Sequence, residues 1–323
     1  MRRIVVLSFG VVDRHVVRQV GTTLPCAFRA YAEQMTDAAL IGRATAPDLH
    51  VMTYNIRRRV PGNRPGSPDR WTTRKHLVER ILAAEQPTVV GVQEALTDQA
   101  DFVAEALGPR YRWVGDGRDP SGRGEKCPIY YDAERLQITE WRQRALSSTP
   151  EHHGSRSWGN VTRRILVSAE FTDLVTSNRL LVFNTHLDHL SRRSRRHSAH
   201  MIVRLARAAI AADPDAAVVV LGDFNADERS PAHQTLTDGG TLHDAWEAAA
   251  EQVTPLFGTF SNYRGRRPGG RRIDHILVGG AVEVSRTAIN VTRFDGRAAS
   301  DHEPVQAVLR AGSGSAGGSR VLP

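Results

Sequence analysis

Residues 217–225 read AVVVLGDFN, an uninterrupted apolar run that leads directly into Asp223, Phe224 and Asn225. A run of this length that ends in a glycine and polar residues predicts a buried strand followed by a loop. A carboxylate at the end of a buried strand is costly unless hydrogen bonds or a cation compensate for its lost hydration. Asp223 and Asn225 could hold a water or a phosphoryl oxygen beside a cation, and an Asx-turn that only closes the strand would use the same residues.

The composition is that of an ordinary globular protein with an excess of arginine. The chain has 323 residues, of which 40% are hydrophobic and 24% charged, enough for one large domain or two ordinary ones. Its formal net charge is +8, and Lys75 and Lys126 are the lysines of the sequence. Arginine suits phosphate-bearing ligands because the guanidinium group matches phosphate oxygens. Because basic residues are spread along the chain, they indicate a compositional bias as much as a nucleic-acid-binding surface.

Cysteine content and hydropathy exclude several classes of protein. Two cysteines, Cys26 and Cys127, exclude a disulfide framework and a cysteine-rich zinc site. No apolar run approaches the roughly 20 residues that a membrane-spanning helix needs. Residues 1–12 combine two arginines with an apolar patch, but Asp13 and Arg14 break the patch and no convincing cleavage site follows. The sequence therefore predicts a cytoplasmic protein, with secretion as the alternative.

Three regions are expected along the chain. Residues 1–47 form a poorly defined N-terminal extension, residues 48–310 form the folded domain, and residues 311–323 form a flexible tail rich in glycine and serine. Within the domain, helices are expected over 191–212 and 242–250, among others, but strands outnumber helices and often follow one another directly. This order favours a layered α/β sandwich with mixed sheets over a regular alternation of strands and helices.

Polar side chains stand where the apolar strands begin or end. The set at strand ends consists of Asn55, Glu94, His186 and Asp223, and the pair before the last strand consists of Asp301 and His302. Asp274 and His275 lie near the start of another strand and could join them. If the last strand runs antiparallel to the others, these groups gather at one edge of the sheets. Each has a harmless explanation as a turn residue, cap or buried pair, but together they predict a site.

Six short motifs connect these residues to a known family. They are TYNIR at 53–57, GVQEAL at 91–96, NTHLDH at 184–189, LGDFNAD at 221–227, RIDHIL at 272–277 and SDHEPV at 300–305. In this order they resemble the endonuclease/exonuclease/phosphatase (DNase I-like) superfamily, and in particular its bacterial metal-dependent hydrolases. The resemblance implies a four-layer α/β sandwich, in which two mixed, mainly antiparallel sheets pack face to face with helices outside.

The resemblance also implies a metal centre. Glu94 is similar to the family's metal-binding glutamate, Asn55 to an asparagine that helps to position the metal and the phosphate, and Asp301 to a second carboxylate near the metal. Mg²⁺ is the expected ion, with Mn²⁺ as an alternative. A carboxylate with water and phosphate oxygens in the remaining positions is the environment that Mg²⁺ prefers.

Catalytic roles are implied in the same way. His302 resembles the histidine that contacts the phosphoryl group and acts in acid–base chemistry, and Asp274 resembles its carboxylate partner. Asp223 and Asn225 resemble the residues that orient the attacking water and the phosphate. His186 resembles the histidine that stabilises the transition state in several branches of the superfamily.

Other candidates have competing explanations. Arg118, Glu125 and Arg163 resemble substrate-binding residues at the rim of the site in bacterial relatives, and surface ion pairs would explain them equally well. SRRSRRH at 191–197 could bind a polyanion, although a solvated helix start is the simpler interpretation. His186 and His189 resemble part of a two-zinc hydrolase motif, but that motif needs a histidine at position 184, which is Asn.

Together these features predict a Mg²⁺-dependent phosphoesterase that hydrolyses a phosphodiester or phosphomonoester by direct in-line attack of water. One alternative is a nuclease acting on DNA or RNA, and another is a non-catalytic phosphate-binding protein with the same fold. Arg57 disfavours the abasic-site endonucleases, which tend to carry an acid there. The expected partner is a phosphorylated substrate, either a small molecule or a nucleic acid, and the sequence indicates no particular protein partner.

Overall fold

The computed structural model of the chain describes residues 38–312. The predictions for residues 1–37 of the extension and 313–323 of the tail lie outside this range. Part of the predicted extension is tied to the domain, because the backbone N–H groups of Leu40, Ile41 and Gly42 donate to the carboxylate of Glu85 at 2.8, 3.2 and 2.9 Å. Ordered contacts with the domain therefore begin before residue 48.

Strands predominate in the described range. The strands are β1 Asp48–Asn55, β2 Val89–Gln93, β3 Tyr111–Val114, β4 Ile129–Asp132, β5 Leu136–Ala145, β6 Ile165–Asp173, β7 Arg179–His186, β8 Ala217–Asp223, β9 His243–Asp244, β10 Glu251–Gln252, β11 Asp274–Gly280, β12 Val282–Ile289 and β13 Val305–Ala311. The helices are α1 Trp71–Glu85, α2 Thr97–Leu107, α3 Arg192–Ala212, α4 Pro231–Thr237 and α5 Ala245–Ala248. No helix in the described part of the chain is long and apolar enough to cross a bilayer.

The strands form two mixed sheets. The first has seven strands in the order β10-β12-β13-β1-β2-β4-β3, and the second has six in the order β5-β6-β7-β8-β11-β9. Three neighbouring pairs are parallel, namely β1–β2, β7–β8 and β10–β12, and the other pairs are antiparallel. The prediction of mixed, mainly antiparallel sheets is therefore confirmed.

Three apolar cores separate four layers. Neighbouring side chains of a strand point to opposite faces, so Val51 of β1 and Val219 of β8 pack between the two sheets, in one core. Met52 packs instead in a core with α1 and α2, and Val220 packs in a core with α3 and α4. Because both faces of these strands are covered, their sequences are continuously apolar. This arrangement is the predicted four-layer α/β sandwich.

The end of β8 is shaped by close contact with β7. A Cβ atom on Gly222 would stand 2.3 Å from the backbone oxygen of Thr185, so only glycine fits at this point. Just after the strand, Asn225 has a φ of +47°. This is a left-handed conformation that asparagine tolerates better than most residues. The AVVVLGDFN segment is thus a buried strand that presents Asp223 at the edge of its sheet, as predicted.

Several elements differ from the sequence predictions. The prediction of a helix over 242–250 is wrong, because this segment contains the short strand β9 and a single turn, α5. Pairing of Asp244 with Leu277 adds β9 to the edge of the second sheet and leaves room for only one helical turn. Strands β3, β10 and β12 and helix α4 were not predicted, although β12 pairs with every residue of β13.

Candidate active site

Strand pairing brings the polar ends of the second sheet together. Parallel pairing places His186, the last residue of β7, opposite Asp223, the last residue of β8. Antiparallel pairing places Asp274, the first residue of β11, opposite the same Asp223. Three side chains far apart in the sequence therefore meet at one edge.

The first sheet contributes to the same edge. Asn55 at the end of β1 lies opposite Gln93 at the end of β2, so Glu94 follows at that edge. Strand β13 runs antiparallel to β1, and Asp301 and His302 precede it. They therefore arrive where β1 ends, as the sequence analysis expected.

Asp223 lies at the centre of the resulting cluster. Its Oδ2 accepts a hydrogen bond from Asn55 Nδ2 at 3.0 Å and lies 3.4 Å from His186 Nε2 and 3.7 Å from His302 Nε2. Its Oδ1 accepts from the backbone N–H of Asn225 at 2.8 Å. One fully buried carboxylate thus joins residues of both sheets.

The surroundings of Asp223 favour its neutral form more than water does. Burial raises the pKa of Asp223, and the charge of Asp274 raises it further. His302 and the N–H donors of Asn225 and Asn55 offset these effects only in part, so the pKa of Asp223 is raised to about 7. A carboxylate of this basicity can accept a proton near neutral pH.

The surroundings of His302 and His186 shift the pKa values of these two histidines in opposite directions. Burial opposes protonation of His302, but the neighbouring carboxylates, above all Asp274 with its Oδ2 2.8 Å from His302 Nδ1, raise the pKa of His302 well above its usual value. Burial, together with the charges of Arg164 and Arg118, lowers the pKa of His186 well below its usual value. The surroundings therefore favour the cationic form of His302 and the neutral form of His186.

Glu94 is held in place by N–H donors. Its backbone has a φ of +65°, and its carboxylate accepts from Asn55 Nδ2 and from the backbone N–H of Arg58, both at 3.1 Å. Burial opposes ionisation, but these donors and the nearby His302 and Arg57 keep the pKa of Glu94 below its usual value. Asn55 therefore bridges Glu94 and Asp223 with its amide nitrogen.

Glu94 and Asp301 face one guanidinium group. Arg57 Nη1 lies 3.7 Å from Glu94 Oε2, and Arg57 Nε lies 3.7 Å from Asp301 Oδ2. Burial and the charge of Glu94 raise the pKa of Asp301, although His302 acts in the opposite direction. The two carboxylates thus face one position, and the guanidinium beside them is 32% exposed, unlike the buried guanidinium of Arg272. This donor set fits Mg²⁺ or Mn²⁺, since both take carboxylate oxygens as ligands.

A second set of ligand atoms lies beside the first. The ligand atoms of Asp223, Asp274 and His302 lie within 4.8 Å of one another. Asp274 is fully buried, and its Oδ2 already contacts His302 Nδ1 at 2.8 Å. Glu94 and Asp301 are therefore better placed to hold an ion that enters from the cleft.

The cluster borders an open cleft of about 460 Å³. Four acids and four arginines line it: Glu94, Glu125, Asp223 and Asp301, with Arg57, Arg58, Arg118 and Arg164. Glu125 Oε1 lies 2.7 Å from Arg118 Nη2 and 3.4 Å from Arg58 Nη1. The candidate rim residues Arg118 and Glu125 therefore do line the cleft.

Arg163 lies outside this cleft, whereas its neighbour Arg164 enters it. Arg163 Nε donates to the backbone oxygen of Gly154 at 2.8 Å. Arg164 is almost fully buried, with Nη2 2.8 Å from His189 Nδ1 and Nε 3.6 Å from Asp188 Oδ2. Both arginines precede β6, and two consecutive arginines in the sequence give no sign of which one faces inward. Sequence reasoning therefore missed Arg164 and His189. It also missed Phe260, which lines the cleft with its ring centroid 4.9 Å from that of His302.

The two-zinc motif is not supported by the geometry. Asp188 Oδ1 accepts from the backbone N–H groups of Leu190 and Ser191 at 3.0 and 2.6 Å, which closes the turn before α3. Neither group of close metal-ligand atoms found among residues 38–312 includes Asp188 or His189.

His275 points away from the edge at which Asp223 and His302 meet, so the expectation that it could join that edge is wrong. It follows Asp274 in β11 and therefore faces the opposite side of the sheet. His275 Nε2 lies 3.0 Å from the backbone oxygen of Ala226, and its Nδ1 lies 3.5 Å from Asp244 Oδ2. Its ring stacks on Phe224 with centroids 5.2 Å apart.

His275 belongs to a buried group, the closed cluster, which consists of His233, Asp244, Arg272 and His275. Asp244 Oδ2 lies 3.1 Å from His233 Nε2 and 3.0 Å from Arg272 Nη1. The two histidines and Asp244 have ligand atoms close enough to share a metal. The guanidinium of Arg272 already supplies the positive charge, so we interpret the cluster as a structural hydrogen-bond network.

Comparison with protein families gives one match over most of the chain. Residues 52–302 match the model of the Endonuclease/Exonuclease/phosphatase family. An uncharacterized protein of Acanthamoeba polyphaga mimivirus is 27% identical over 175 residues, which cover 50% of this chain. The chain spans 61% of the length of that curated relative.

Solved structures of bacterial proteins resemble the chain more fully. A protein of the same family from Bacteroides vulgatus is 31% identical with a TM-score of 0.74, covering 82% of this chain and 99% of that one. Another from Bacteroides thetaiotaomicron is 28% identical with a TM-score of 0.75, covering 81% and 94%. A mannosyl-6-phosphatase from Bacteroides thetaiotaomicron is 28% identical with a TM-score of 0.74, covering 81% and 99%.

Proposed function

The chain belongs to the endonuclease/exonuclease/phosphatase family, and we propose that it is a Mg²⁺-dependent phosphoesterase that uses direct in-line attack of water. The observation that carries this proposal is the convergence of Asn55, His186 and His302 on Asp223 Oδ2 beside an arginine-lined cleft. A phosphate group in this cleft meets hydrogen-bond donors next to a basic carboxylate. Such preorganised donors stabilise the charge that develops on phosphoryl oxygens.

Glu94 and Asp301 are the residues that would hold the ion. Their carboxylates both face the guanidinium of Arg57. Asn55, which also donates to Asp223, donates a hydrogen bond to Glu94. When bound, a divalent ion supplies polarisation of the phosphoryl oxygens and neutralisation of their charge. Mn²⁺ is the alternative because it also takes oxygen ligands.

Asp223 is the residue that aligns the attacking water and accepts its proton. Its raised pKa suits this task near neutral pH, and Asn225 fixes its carboxylate through the 2.8 Å backbone hydrogen bond. The side chain of Asn225 is in turn held by the backbone oxygen of Leu187 at 3.1 Å. The bond from the water oxygen to phosphorus forms as the bond to the leaving alcohol oxygen breaks, so no covalent enzyme intermediate is needed.

His302, His186 and the arginines act on the phosphoryl oxygens. His302 is kept protonated by Asp274 and donates from Nε2, which faces the centre of the cluster. His186 remains neutral, so it contributes a hydrogen bond without adding a charge. Arg118 and Arg164 line the same cleft and add positive potential where negative charge develops.

A sugar phosphomonoester is the second candidate substrate. The mannosyl-6-phosphatase from Bacteroides thetaiotaomicron is 28% identical to this chain and is covered over 99% of its length. The cleft of about 460 Å³ has the size of a small-ligand site. A phosphodiester and a phosphomonoester both present the oxygens that the cluster is built to bind.

Hydrolysis of bis-p-nitrophenyl phosphate tests the proposal. EDTA should abolish activity and added Mg²⁺ should restore it. Glu94→Ala should lower kcat/KM by about 100-fold or more, because the carboxylate assigned to the ion is lost. Glu105→Ala is the matched control, since Glu105 is an exposed residue of α2 and its loss should leave the rate unchanged.

Full activity in metal-free buffer, or equal activity of Glu94→Ala and the unaltered chain, would contradict this mechanism. A panel of single-stranded DNA, duplex DNA, RNA, sugar phosphates and phospholipids identifies the substrate class. If the unaltered chain hydrolyses none of them while still binding phosphate, the non-catalytic phosphate-binding alternative is favoured.

A further inference from the structure

A second, larger groove adjoins the catalytic cleft. It measures about 790 Å³ and is lined by the start of α3, the segment 225–232 after β8 and the segment before β11. Asn225 lines both the groove and the cleft. A ligand whose reacting group lies in the cleft can therefore extend past Asn225 into the groove.

Arginine dominates the lining of this groove. The arginines are Arg192, Arg193, Arg195, Arg196, Arg229 and Arg271, and Asp227 is the acid among the lining residues. Asp227 Oδ2 lies 3.4 Å from Arg271 Nε, and Arg195 donates to the backbone oxygen of Asp188 at 2.6 Å. The other four arginines form no ion pair with any residue in the described range. We call this surface the arginine groove.

The charge of the groove contrasts with that of the cleft. In the cleft, four acids balance four arginines, whereas the groove has six arginines and one acid. The arginines come from three separate segments, and Arg192, Arg196 and Arg229 are exposed. Like charges gathered from distant parts of the chain raise the local positive potential and attract an anion. The start of α3 adds to this potential, because helix N-termini carry partial positive charge.

We propose that the arginine groove binds phosphates of a nucleic-acid strand whose scissile phosphate lies in the catalytic cleft. This inference rests on the proposed function and specifies its substrate. Guanidinium groups suit phosphate oxygens, and Arg192 and Arg196 lie one turn apart, about 6 Å along the helix, so they can contact different phosphates. A sugar monophosphate has a single phosphate, which the cleft takes, and it would leave the groove without a partner.

Fluorescence anisotropy with a short labelled single-stranded DNA tests the groove separately from catalysis. Binding is measured in EDTA, where no hydrolysis is expected, at several salt concentrations. Arg192→Gln/Arg196→Gln should weaken binding about tenfold and make the slope of log Kd against log salt shallower by about 1.4, since each lost contact to a single strand removes about 0.7. Arg204→Gln/Arg207→Gln removes the same charge from exposed positions of the same helix outside the groove and should change Kd less than about twofold.

Three results overturn the proposal: no DNA binding by the unaltered chain, equal weakening by the two double variants, or tighter groove-dependent binding to vesicles of anionic phospholipid than to DNA. The bis-p-nitrophenyl phosphate assay reports on the proposed function independently. A chain that hydrolyses the small ester but does not bind DNA refutes the groove assignment alone. A chain that binds DNA through the groove but hydrolyses no ester supports the groove and refutes the proposed function.

Discussion

Two buried histidine–aspartate clusters start from neighbouring residues of β11 and have different surroundings. The open cluster consists of Asp223, Asp274 and His302, of which Asp223 and His302 line the candidate catalytic cleft. The closed cluster lies on the other face of the strand and consists of His233, Asp244, Arg272 and His275. Both contain the residue types that hold metals and transfer protons, so residue type alone does not separate them.

The clusters differ in the positive charge beside their aspartates and in whether they border a cleft. In the closed cluster, burial opposes ionisation of Asp244, but His233, His275 and Arg272 hold the pKa of Asp244 well below its usual value. In the open cluster, no arginine in the described range forms an ion pair with Asp223, whose pKa is raised to about 7. The comparison teaches that a neutralised cluster stabilises the fold, whereas a cluster short of positive charge beside a cleft is available to a substrate or an ion.

The largest expected effect is the loss of catalytic activity when a residue of the open cluster is replaced. His302→Ala should lower kcat for bis-p-nitrophenyl phosphate by about 10²- to 10⁴-fold, because the cationic donor paired with Asp274 is lost. His200→Ala, an exposed histidine of α3, should stay within about twofold of the unaltered chain. Activity of His302→Ala within tenfold of the unaltered chain would show that the open cluster is not catalytic.

In the closed cluster the expected effect is on stability. Asp244→Ala should lower the free energy of unfolding by about 3–5 kcal/mol, because it leaves the guanidinium of Arg272 buried without its main partner. Glu247→Ala is the control, since Glu247 contacts Arg272 at 3.4 Å but is 74% exposed, and it should cost less than about 1 kcal/mol. Guanidinium chloride unfolding measures both, and equal losses would mean that burial of the pair does not matter.

Acid should weaken the closed cluster in a defined pH range. The pKa of Asp244 is lower in the folded chain than in the unfolded chain, so its stabilising effect is complete above the unfolded value of about 3.9 and is lost as pH falls toward the folded value. Its charged or titratable neighbours are His233, His275 and Arg272, with Glu247 beyond Arg272.

The difference in unfolding free energy between the unaltered chain and Asp244→Asn should therefore shrink as pH is lowered from about 5 to about 3. Denaturant unfolding at several pH values measures this difference. If the difference stays constant over this range, ionised Asp244 does not stabilise the folded state.

The smallest expected effect is the response of thermal stability to metal. Mg²⁺ at 100 times its Kd stabilises a chain by about 2.7 kcal/mol, which raises the Tm by a few degrees. Glu94→Ala should remove this shift, whereas Asp244→Asn should keep it, because the closed cluster holds its own counter-ion. Differential scanning fluorimetry with and without EDTA measures the shift. Loss of the shift in Asp244→Asn alone would place the ion in the closed cluster instead.

The layered fold and the edge that carries the candidate site followed from strand patterns, whereas the four-layer arrangement was implied by the family resemblance. Apolar runs that end in a polar residue, such as those before Asn55 and Asp223, predict both the strands and the edge at which their side chains meet. Parallel pairing of β1 with β2 and of β7 with β8 then brings those ends together. The individual roles of the site residues stay predictions, because strand ends determine position and not chemistry.

Which residues face the site, and which ones line the groove, depended on strand register and on contacts between residues distant in sequence. Whether Asp274 or His275 joins the open cluster is set by which face of β11 meets the first sheet, and a shift of one residue would exchange them. The arginine groove needs Arg229 and Arg271 beside the start of α3, which no local pattern indicates.

A comparison of the hydrolysis rates of two variants tests most directly which of the two clusters is catalytic. Asp274→Asn and Asp244→Asn are compared in hydrolysis of bis-p-nitrophenyl phosphate with Mg²⁺, at a temperature at which circular dichroism shows both variants folded. We predict that Asp274→Asn lowers kcat by about 100-fold or more, because His302 loses the carboxylate that keeps it protonated, whereas Asp244→Asn stays within about tenfold of the unaltered chain. Wild-type activity in Asp274→Asn, or equal inactivity in a folded Asp244→Asn variant, would contradict the assignment of the catalytic centre to the open cluster.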